Sequence, residues 1–468
     1  MNYVSSLFRF QDHDTNAGRE VRAGAASFLA MSYIIFANPA ILSAAGIPFQ
    51  GAVVATCLCA GIMTILMGLV TNYPMCMAAG MGLNAIIAFT IVKGMGFTWQ
   101  AAMGMVVLEG LAVLALSLTS FRRSIVEAVP VSLKHAIAVG IGLFITFIGL
   151  QGGNFIRAHP ATLVTFEEFN NPCTILSAIG LMVTSILLIN RVKGALLIGI
   201  GVTIVAGMLP VWPLRAGMGL PGLADGLPAR TGALIAAPRK FFEMPAGVPT
   251  FWQFDLRGAL SWAMLPVGFA FLMSDFFDTI GTSVAVGAKA GFMDEHGRIP
   301  RLRRLLIVDS LGAVAGGVFG CSSNTCYIES AAGASEGGRT GLTSVVCGLL
   351  FIVAIFFAPL AAVAGGGVQL SPGVVKYPVT SAALILVGFM MMDSIRQISW
   401  TVPGEALPAF LIIVGIPFSF SITHGIALGF AAYVLLALAS GRAKEVHMLM
   451  WICALMFLLV FLLPVFSK

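Results

Sequence analysis

Apolar runs long enough to cross a bilayer recur from Val21 to Phe466, and this recurrence limits the fold more than any motif in the chain. They lie near residues 22–44, 51–70, 80–92, 98–118, 133–151, 172–190 and 194–211. A second set follows near 259–284, 304–320, 327–334, 342–363, 378–393, 405–418, 421–439 and 447–466. At about 1.5 Å of rise per residue, most can cover roughly 30 Å of hydrocarbon as helices. Hydrocarbon offers backbone amides no partner, so each run must satisfy its own hydrogen bonds. Charged residues make up only 10% of the chain, where a soluble domain carries about 25%. The expectation is an all-α polytopic membrane protein with residues 1–468 forming one integrated domain. The longest polar interval, Pro210–Arg257, is rich in Gly and Pro and reads as an elaborated loop.

Two runs are too short to span, those opening near Gly80 and Tyr327. Each follows a polar, helix-poor segment, TNYPMCMAAGMG in the first half and GCSSNTC in the second. A shift of about 245 residues lays the first set of runs close to the second, with Tyr33 over Asp278 and Asn84 over Glu329. Residue identity between the halves is negligible, so the repeat is one of lengths. Seven spans per half is an odd number, which would insert the halves with opposite orientation as an inverted repeat. Two broken segments would then aim helix N-termini, each worth about +0.5 charge, at one midplane site. The plainer alternative is that these Gly-rich segments only let helices pack closely.

The net charge of +6 lies in short inter-span loops and carries no implication of nucleic-acid binding. With a cytoplasmic N-terminus, the inside loops hold Arg122, Arg123, Arg191, Lys193, Arg298 to Arg304, Arg339 and Arg396. A strict repeat puts Arg442 and Lys444 outside. The positive-inside tendency instead wants 405–418 and 421–439 to enter and return, with Pro417 and SFSITHG as the break. The eight cysteines lie mostly inside apolar runs without metal-ligand spacing, which points to packing and not to a disulfide framework. Asp12, Asp14 and Glu20 interrupt the first twenty residues, so the first span is expected to act as an uncleaved insertion signal.

Against this background three carboxylates stand out. Asp275 and Asp278 interrupt GALSWAMLPVGFAFLMSDFFDTIGTSVAV, and Glu329 lies in CSSNTCYIESAAGASEGG. An ionised side chain near the bilayer centre costs roughly 2.5–3.5 kcal/mol, so such groups face a cavity, a partner or a transport path. Asp275 and Asp278 are three apart and share a helix face. With Phe271, Phe276 and Phe277 beside them, they suit a planar ligand that stacks on a ring while its N–H edge donates to a carboxylate. Two close carboxylates also suit proton exchange, since both cannot ionise easily. The alternative is a packing network satisfied by Ser and Thr neighbours. A metal site is disfavoured because this helix has no His. Glu109, in MVVLEGLAVL, is expected to bond a neighbouring helix, and Asp309 to cap or pair with Arg303 or Arg304. His424 reads as a packing residue at a helix break, with gating as the alternative. Lys289 reads as a topology determinant and Phe389 to Met392 as packing.

The strings VRAGAASFLAMSYIIFANPAIL, AAGMGLNAIIAFT, FLMSDFFDTIGTSVAVGAKAG and CYIESAAGASEGGRTGLTSVVCGLLF resemble the AzgA-like purine permeases of the nucleobase–ascorbate transporter group, in order and over nearly the whole chain. The resemblance implies fourteen segments in two inverted sevens, with a core domain (about 18–120 and 258–365) and a gate domain (about 124–212 and 374–466). It implies proton-coupled uptake of hypoxanthine, adenine or guanine across an inner membrane, with the proton gradient as energy source and no cofactor. Carried over by position, Glu329 resembles the purine-binding glutamate, Asp275 its partner aspartate and Asn84 a third polar contact. Asp278 resembles a carboxylate linked to proton coupling, a role Glu329 could share. The backbone around Ile328 would face the ligand's edge, and Phe276, Thr279 and Thr325 would line the site. Other members of the wider group often place a His on the first span, where SFLAMSYIIF has none, which leaves Asp278 as the expected proton site. CSSNTC is richer in Cys and Asn than that stretch of the family. Dimers occur in related folds, though no motif here demands one. Two rivals are an inorganic-anion transporter of the same architecture, which would want Arg, Lys or bare helix N-termini, and an intramembrane enzyme using paired carboxylates as acid and base.

Overall fold

The computed structural model describes residues 3–119, 129–169, 171–209, 212–214, 230–238, 240–243, 247–294, 298–371, 374–448 and 450–455. The middle of the expected polar loop, most of the last apolar run, and Arg122 and Arg123 lie outside the described residues. The first half runs α1 (Ala17–Ser43), α2 (Phe49–Thr71), β1 (Met77–Ala79), α3 (Met81–Gly94), α4 (Trp99–Leu118), α5 (Val131–Gly152), α6 (Pro172–Ile189) and α7 (Ala195–Met208). The second runs α8 (Met264–Ala290), α9 (Leu302–Phe319), β2 (Asn324–Cys326), α10 (Ser330–Ser335), α11 (Gly341–Gly365), α12 (Pro378–Gln397), α13 (Pro403–Ser419) and α14 (Ile422–Ala439). Both halves therefore share the order helix, helix, strand, short helix, helix, then three helices. Among the described residues, nine helices are long and apolar enough to cross a membrane by length and composition, while α3, α7 and α13 are shorter apolar helices.

Helices of the two halves interleave. In one group α2 packs on α9 and α11, α4 on α9, and α1 on α10 and α11. In the other α5 packs on α12 and α13, α6 on α7 and α12, and α13 on α14. The groups meet where α8 touches α5 and α14 and where α3 touches α5. Lipid supplies no hydrophobic drive between helices, so close backbone approach must substitute for it. Gly68 and Gly341 show how: a Cβ on Gly68 would lie 2.4 Å from Gly341 O, and one on Gly341 would lie 1.9 Å from Gly68 O.

β1 and β2 pair antiparallel across the halves, with Met77 opposite Cys326, Ala78 opposite Thr325 and Ala79 opposite Asn324. Gly80 N–H to Ser323 O (2.9 Å) and Tyr327 N–H to Cys76 O (3.0 Å) extend the ladder at both ends. This mutual pairing satisfies backbone groups that would otherwise be orphaned at membrane depth. Room for β2 comes from α9, where a Cβ on Gly312 would lie 2.3 Å from Asn324 O and one on Gly316 would lie 1.8 Å from Ser322 O.

Several expectations change in detail. The molecule is not purely helical, because three further two-stranded ribbons join helices, including Ile156–His159 with Leu163–Phe166 and Val368–Ser371 with Val374–Lys376. Strands of three or four residues leave too short an alternation to read in sequence. The first run is split by a turn at Ser32–Tyr33, and the run 342–363 by a 3-10 turn at Ile355–Phe357. The run opening near Gly80 begins as an α-helix at Met81 and continues as a π-helix over Ile86–Gly94.

The charged loops converge. Arg301 Nη1 donates to Thr71 O (2.7 Å), Lys193 pairs with Glu336 (2.7 Å), and the Gly337 backbone lies against Arg19. Glu20 is fully buried at the same end, accepting from Arg339 N (3.0 Å), Thr340 N (3.2 Å) and Thr343 Oγ1 (2.6 Å). Helices α13 and α14 form an antiparallel hairpin turning at Phe420, with Gly425 against Ile416 and Gly429 against Ile412. The hairpin brings Arg442 back beside Gly404, at the end of the molecule where Ser132 of α5 donates to Glu405 (2.5 Å).

Candidate functional site

The β1–β2 ladder is the frame on which polar side chains from α1, α3, α8, α9 and α10 converge. Glu329 directly precedes α10, two residues beyond the last ladder bond. Its Oε1 accepts from Tyr33 Oη at 2.6 Å, so the turn that splits α1 also delivers a phenol to the site. Tyr327 Oη donates to Ala79 O (2.6 Å), fixing the approach to α10 against β1. Ile328 and Asp278 are exposed beside this segment, which makes them the accessible members of the cluster.

Asp275, one turn before Asp278 on α8, is buried. Ser323 Oγ donates to its Oδ2 at 2.7 Å, while Oδ1 finds no hydroxyl or amide donor. Ser323 O in turn accepts from Gly80 N–H, and Gly80 O from Asn84 N–H at 2.9 Å, so Asp275 is tied to the first turn of α3. Asn84 itself is fully buried and neither its Oδ1 nor its Nδ2 has a protein partner. Leaving such an amide unpaired costs about 1–3 kcal/mol for each orphaned group, so the fold keeps it there at a loss.

Thr279 and Thr325 are brought together at 2.6 Å, and both reach Asp309 on α9, Thr279 to Oδ2 (2.7 Å) and Thr325 to Oδ1 (3.2 Å). Cys326 N–H completes the set at 3.0 Å on Oδ1. Asp309 therefore clamps α8 and β2 together and does not pair with Arg303 or Arg304, which are exposed. The reason is helical phase: α9 begins at Leu302, so Asp309 lies two turns in, in line with Gly312 and Gly316 on the face that receives β2. That carboxylate–glycine row was the available signal in the sequence. Glu109 is buried on α4, which packs against α8 and α9, but neither of its carboxyl oxygens has a hydrogen-bond donor there, so the bond to a neighbouring helix expected of it is not made to a hydroxyl or amide. Ser323 and Tyr33, which sequence patterns alone did not single out as ligand-holding residues, supply the hydroxyls that orient Asp275 and Glu329.

Phe271 is buried in the main core and Phe276 packs with Val113 and Met273, while the side chain of Phe277 lies outside the described set. His424 sits near the start of α14, where Ser421 caps its backbone N–H. The eight cysteines are buried free thiols.

A bundle of membrane-length helices from two similarly ordered halves, with paired broken segments and buried carboxylates between them, defines a multi-pass membrane transporter. Residues 18–428 match the Xan_ur_permease family, described as "Permease family", and the chain belongs to it. Among its relatives are "Putative permease MJ0326" of Methanocaldococcus jannaschii, 41% identical over 98% of both chains, and "Guanine/hypoxanthine permease PbuG" of Bacillus subtilis, 40% identical over 98% of this chain and 99% of the relative. "Adenine permease AdeP" of Escherichia coli is 38% identical over 97% of this chain and 95% of its own. In fold the chain is similar to the transmembrane domain of the cyanobacterial bicarbonate transporter BicA, with a TM-score of 0.58 at 17% identity over 87% of this chain and 97% of that one. It is also similar to the murine anion transporter Slc26a9 in its inward-facing state, with a TM-score of 0.59 at 12% identity over 91% and 69%.

Proposed function

We propose that this chain is a secondary active transporter that takes up purine nucleobases (hypoxanthine, adenine or guanine) together with protons. The observation that carries the reading is Asn84, fully buried with its donor and acceptor both unpaired, in a cluster that also holds buried Asp275 and half-buried Glu329. A purine edge alternates N–H donors with ring-nitrogen and carbonyl acceptors, and this set supplies two acceptor carboxylates and an amide that can do either. Glu329, held by Tyr33, accepts one ring N–H, Asp275 accepts another, and Asn84 fixes the orientation of the base. The backbone at Ile328 faces the ligand's edge. Thr279 and Thr325 act through Asp309 to keep α8 and β2 at the spacing the ligand needs. Asp278, accessible and a turn from Asp275, exchanges the coupled proton. Relatives named as guanine/hypoxanthine and adenine permeases support the substrate class. The chain is a transporter and not an enzyme, as its family establishes.

In the same proposal the chain has fourteen segments in two inverted sevens, with a core (about 18–120 and 258–365) moving against a gate (about 124–212 and 374–466). It lies in a cell inner membrane with a cytoplasmic N-terminus, a placement supported by the convergence of Arg19, Lys193, Arg301 and Arg339 at one end. The test is uptake of radiolabelled hypoxanthine into proteoliposomes with and without an inward proton gradient, challenged by unlabelled bases. Gradient-stimulated uptake competed by adenine or guanine is expected, with Glu329→Ala abolishing binding. Folded protein that takes up no purine under any gradient, or Glu329→Ala that binds purine normally, would overturn the assignment.

A further inference from the structure

Glu109 sits mid-way along α4, buried, on a helix whose other residues nearby are apolar. Neither of its oxygens finds an amide or hydroxyl donor, and α4 lays it along α8 beside Asp275: Met105, one turn before Glu109, lies against Gly268, Val113, one turn after it, packs with Met273 and Phe276, and Asp275 Oδ1 is likewise buried without a donor. The titratable groups facing Glu109 are Asp275 from α8 and Asp309 from α9. The other segments packed on α4 bring it no cation, since Lys93 at the end of α3 and Arg257 in the short helix Leu256–Ala259 are exposed. Among the described residues, no ion pair involves any of the three carboxylates.

Counting protons assigns the charges. Asp309 receives the Cys326 amide and at least one hydroxyl of the Thr279–Thr325 pair, whose two protons are shared among their 2.6 Å contact and the two contacts to Asp309. Asp275 receives the Ser323 hydroxyl and can accept more. Glu109 receives nothing. Two facing carboxylates cannot hydrogen-bond to each other without a proton between them, and as two anions in a low-dielectric interior they would repel.

We propose that Glu109 and Asp275 hold one proton between them and that Glu109 is the proton-storing partner of the substrate-binding aspartate. This rests on the purine-symport reading and adds a second proton position to it. With the proton on Glu109, its O–H donates to Asp275, which bears the single negative charge and still accepts a purine N–H, since a carboxylate oxygen takes two hydrogen bonds. Release of that proton, Glu109–COOH to Glu109–COO⁻ plus H⁺, sets two anions face to face. Asp275 is then pushed from Ser323 and the purine loses its acceptor. Proton and purine thus leave together.

The test pairs Glu109→Gln with infrared difference spectroscopy and two transport modes. Gln mimics the protonated acid, donating to Asp275 but unable to release a proton. Expected are loss of a neutral-carboxyl C=O band present in the wild type at neutral pH, and its retention in Asp278→Asn. Gradient-driven accumulation should fall at least about tenfold in Glu109→Gln, far more than purine-for-purine exchange, and the decline of purine binding at rising pH should flatten. If Glu109→Gln fails to fold, Asp275→Asn must shift the frequency of the same band, because the Glu109 acid then loses its anionic acceptor, and an unshifted band would overturn the proposal. A wild type without the band, or Glu109→Gln with wild-type accumulation and pH profile, would overturn the proposal. The infrared arm uses no substrate, so it tests the shared proton even if the purine reading fails.

Discussion

Gly316→Ala probes how tightly the ligand cluster depends on one helix surface. Elsewhere in a helix this change gains about 1 kcal/mol, because Ala loses less backbone entropy than Gly. Here the added Cβ would lie 1.8 Å from Ser322 O and 2.8 Å from Ser322 C, both backbone atoms with no rotamer to escape by. To reach the shortest ordinary contact, the segment entering β2 must retreat by about 1.6 Å, and overpacking of this kind costs about 1–3 kcal/mol. The retreat carries Ser323 with it, and a 2.7 Å bond to Asp275 lengthened by that much is no longer a hydrogen bond. Losing a hydrogen bond to a carboxylate is worth about 1.5–3 kcal/mol, so apparent hypoxanthine affinity should weaken by about 10- to 100-fold. The control is Gly281→Ala on α8, where nothing lies within 4 Å of the new Cβ. Both variants should insert, and scintillation-proximity binding with detergent melting separates them: Gly281→Ala binds normally, Gly316→Ala does not. A Gly316→Ala protein with wild-type affinity would refute the claim that α9 sets the position of Ser323 and, through it, Asp275.

Three other perturbations test separate parts of the structure. Tyr33→Phe keeps the ring and removes the 2.6 Å bond to Glu329, so purine affinity should drop about tenfold with little change in melting temperature; unchanged affinity would mean that Tyr33 does not orient Glu329. Glu20→Ala strands the Arg339 and Thr340 amides and the Thr343 hydroxyl at the buried start of α11, and should cost about 3 kcal/mol or more in detergent unfolding, whatever the substrate. Asn84→Leu should stabilise the protein by about 1–2 kcal/mol, because it removes two unpaired buried groups, while abolishing purine binding; lower stability would mean that Asn84 has a structural partner.

What could be read from the sequence divides along physical lines. Span positions follow from apolar length, and the two breaks from runs too short to cross, so α3, α10 and the extended segments before them were all legible. Asp275, Asp278 and Glu329 were legible because ionisable groups are rare at membrane depth. The pairing of β1 with β2 was not, since three-residue strands carry no periodicity and their partner lies more than 240 residues away. Asp309 was misjudged for a related reason. Its meaning depends on which face of α9 receives β2, and Gly312 and Gly316 mark that face only once β2 is known to exist.

Chains named as bicarbonate and anion transporters share this fold at 12–17% identity, so the fold does not choose the solute. The side chains at the break between the halves can. An anion needs a surplus of donors, and bare helix N-termini or cations provide it. Here the same region carries Asp275, Asp278, Asp309, Glu329 and, from α4, Glu109, with no ion pair to any of the five among the described residues. Such a surplus of acceptors repels anions and calls for N–H donors or protons. In the proposed symport, a purine supplies the first and a proton gradient the second. Each carboxylate occupied by one of them is a charge the low-dielectric interior no longer has to hold unpaired, so loading the site with both favours its enclosure over either alone. Coupling then needs no dedicated transmission path. It follows from placing more carboxylates in one buried cluster than a single ligand can satisfy.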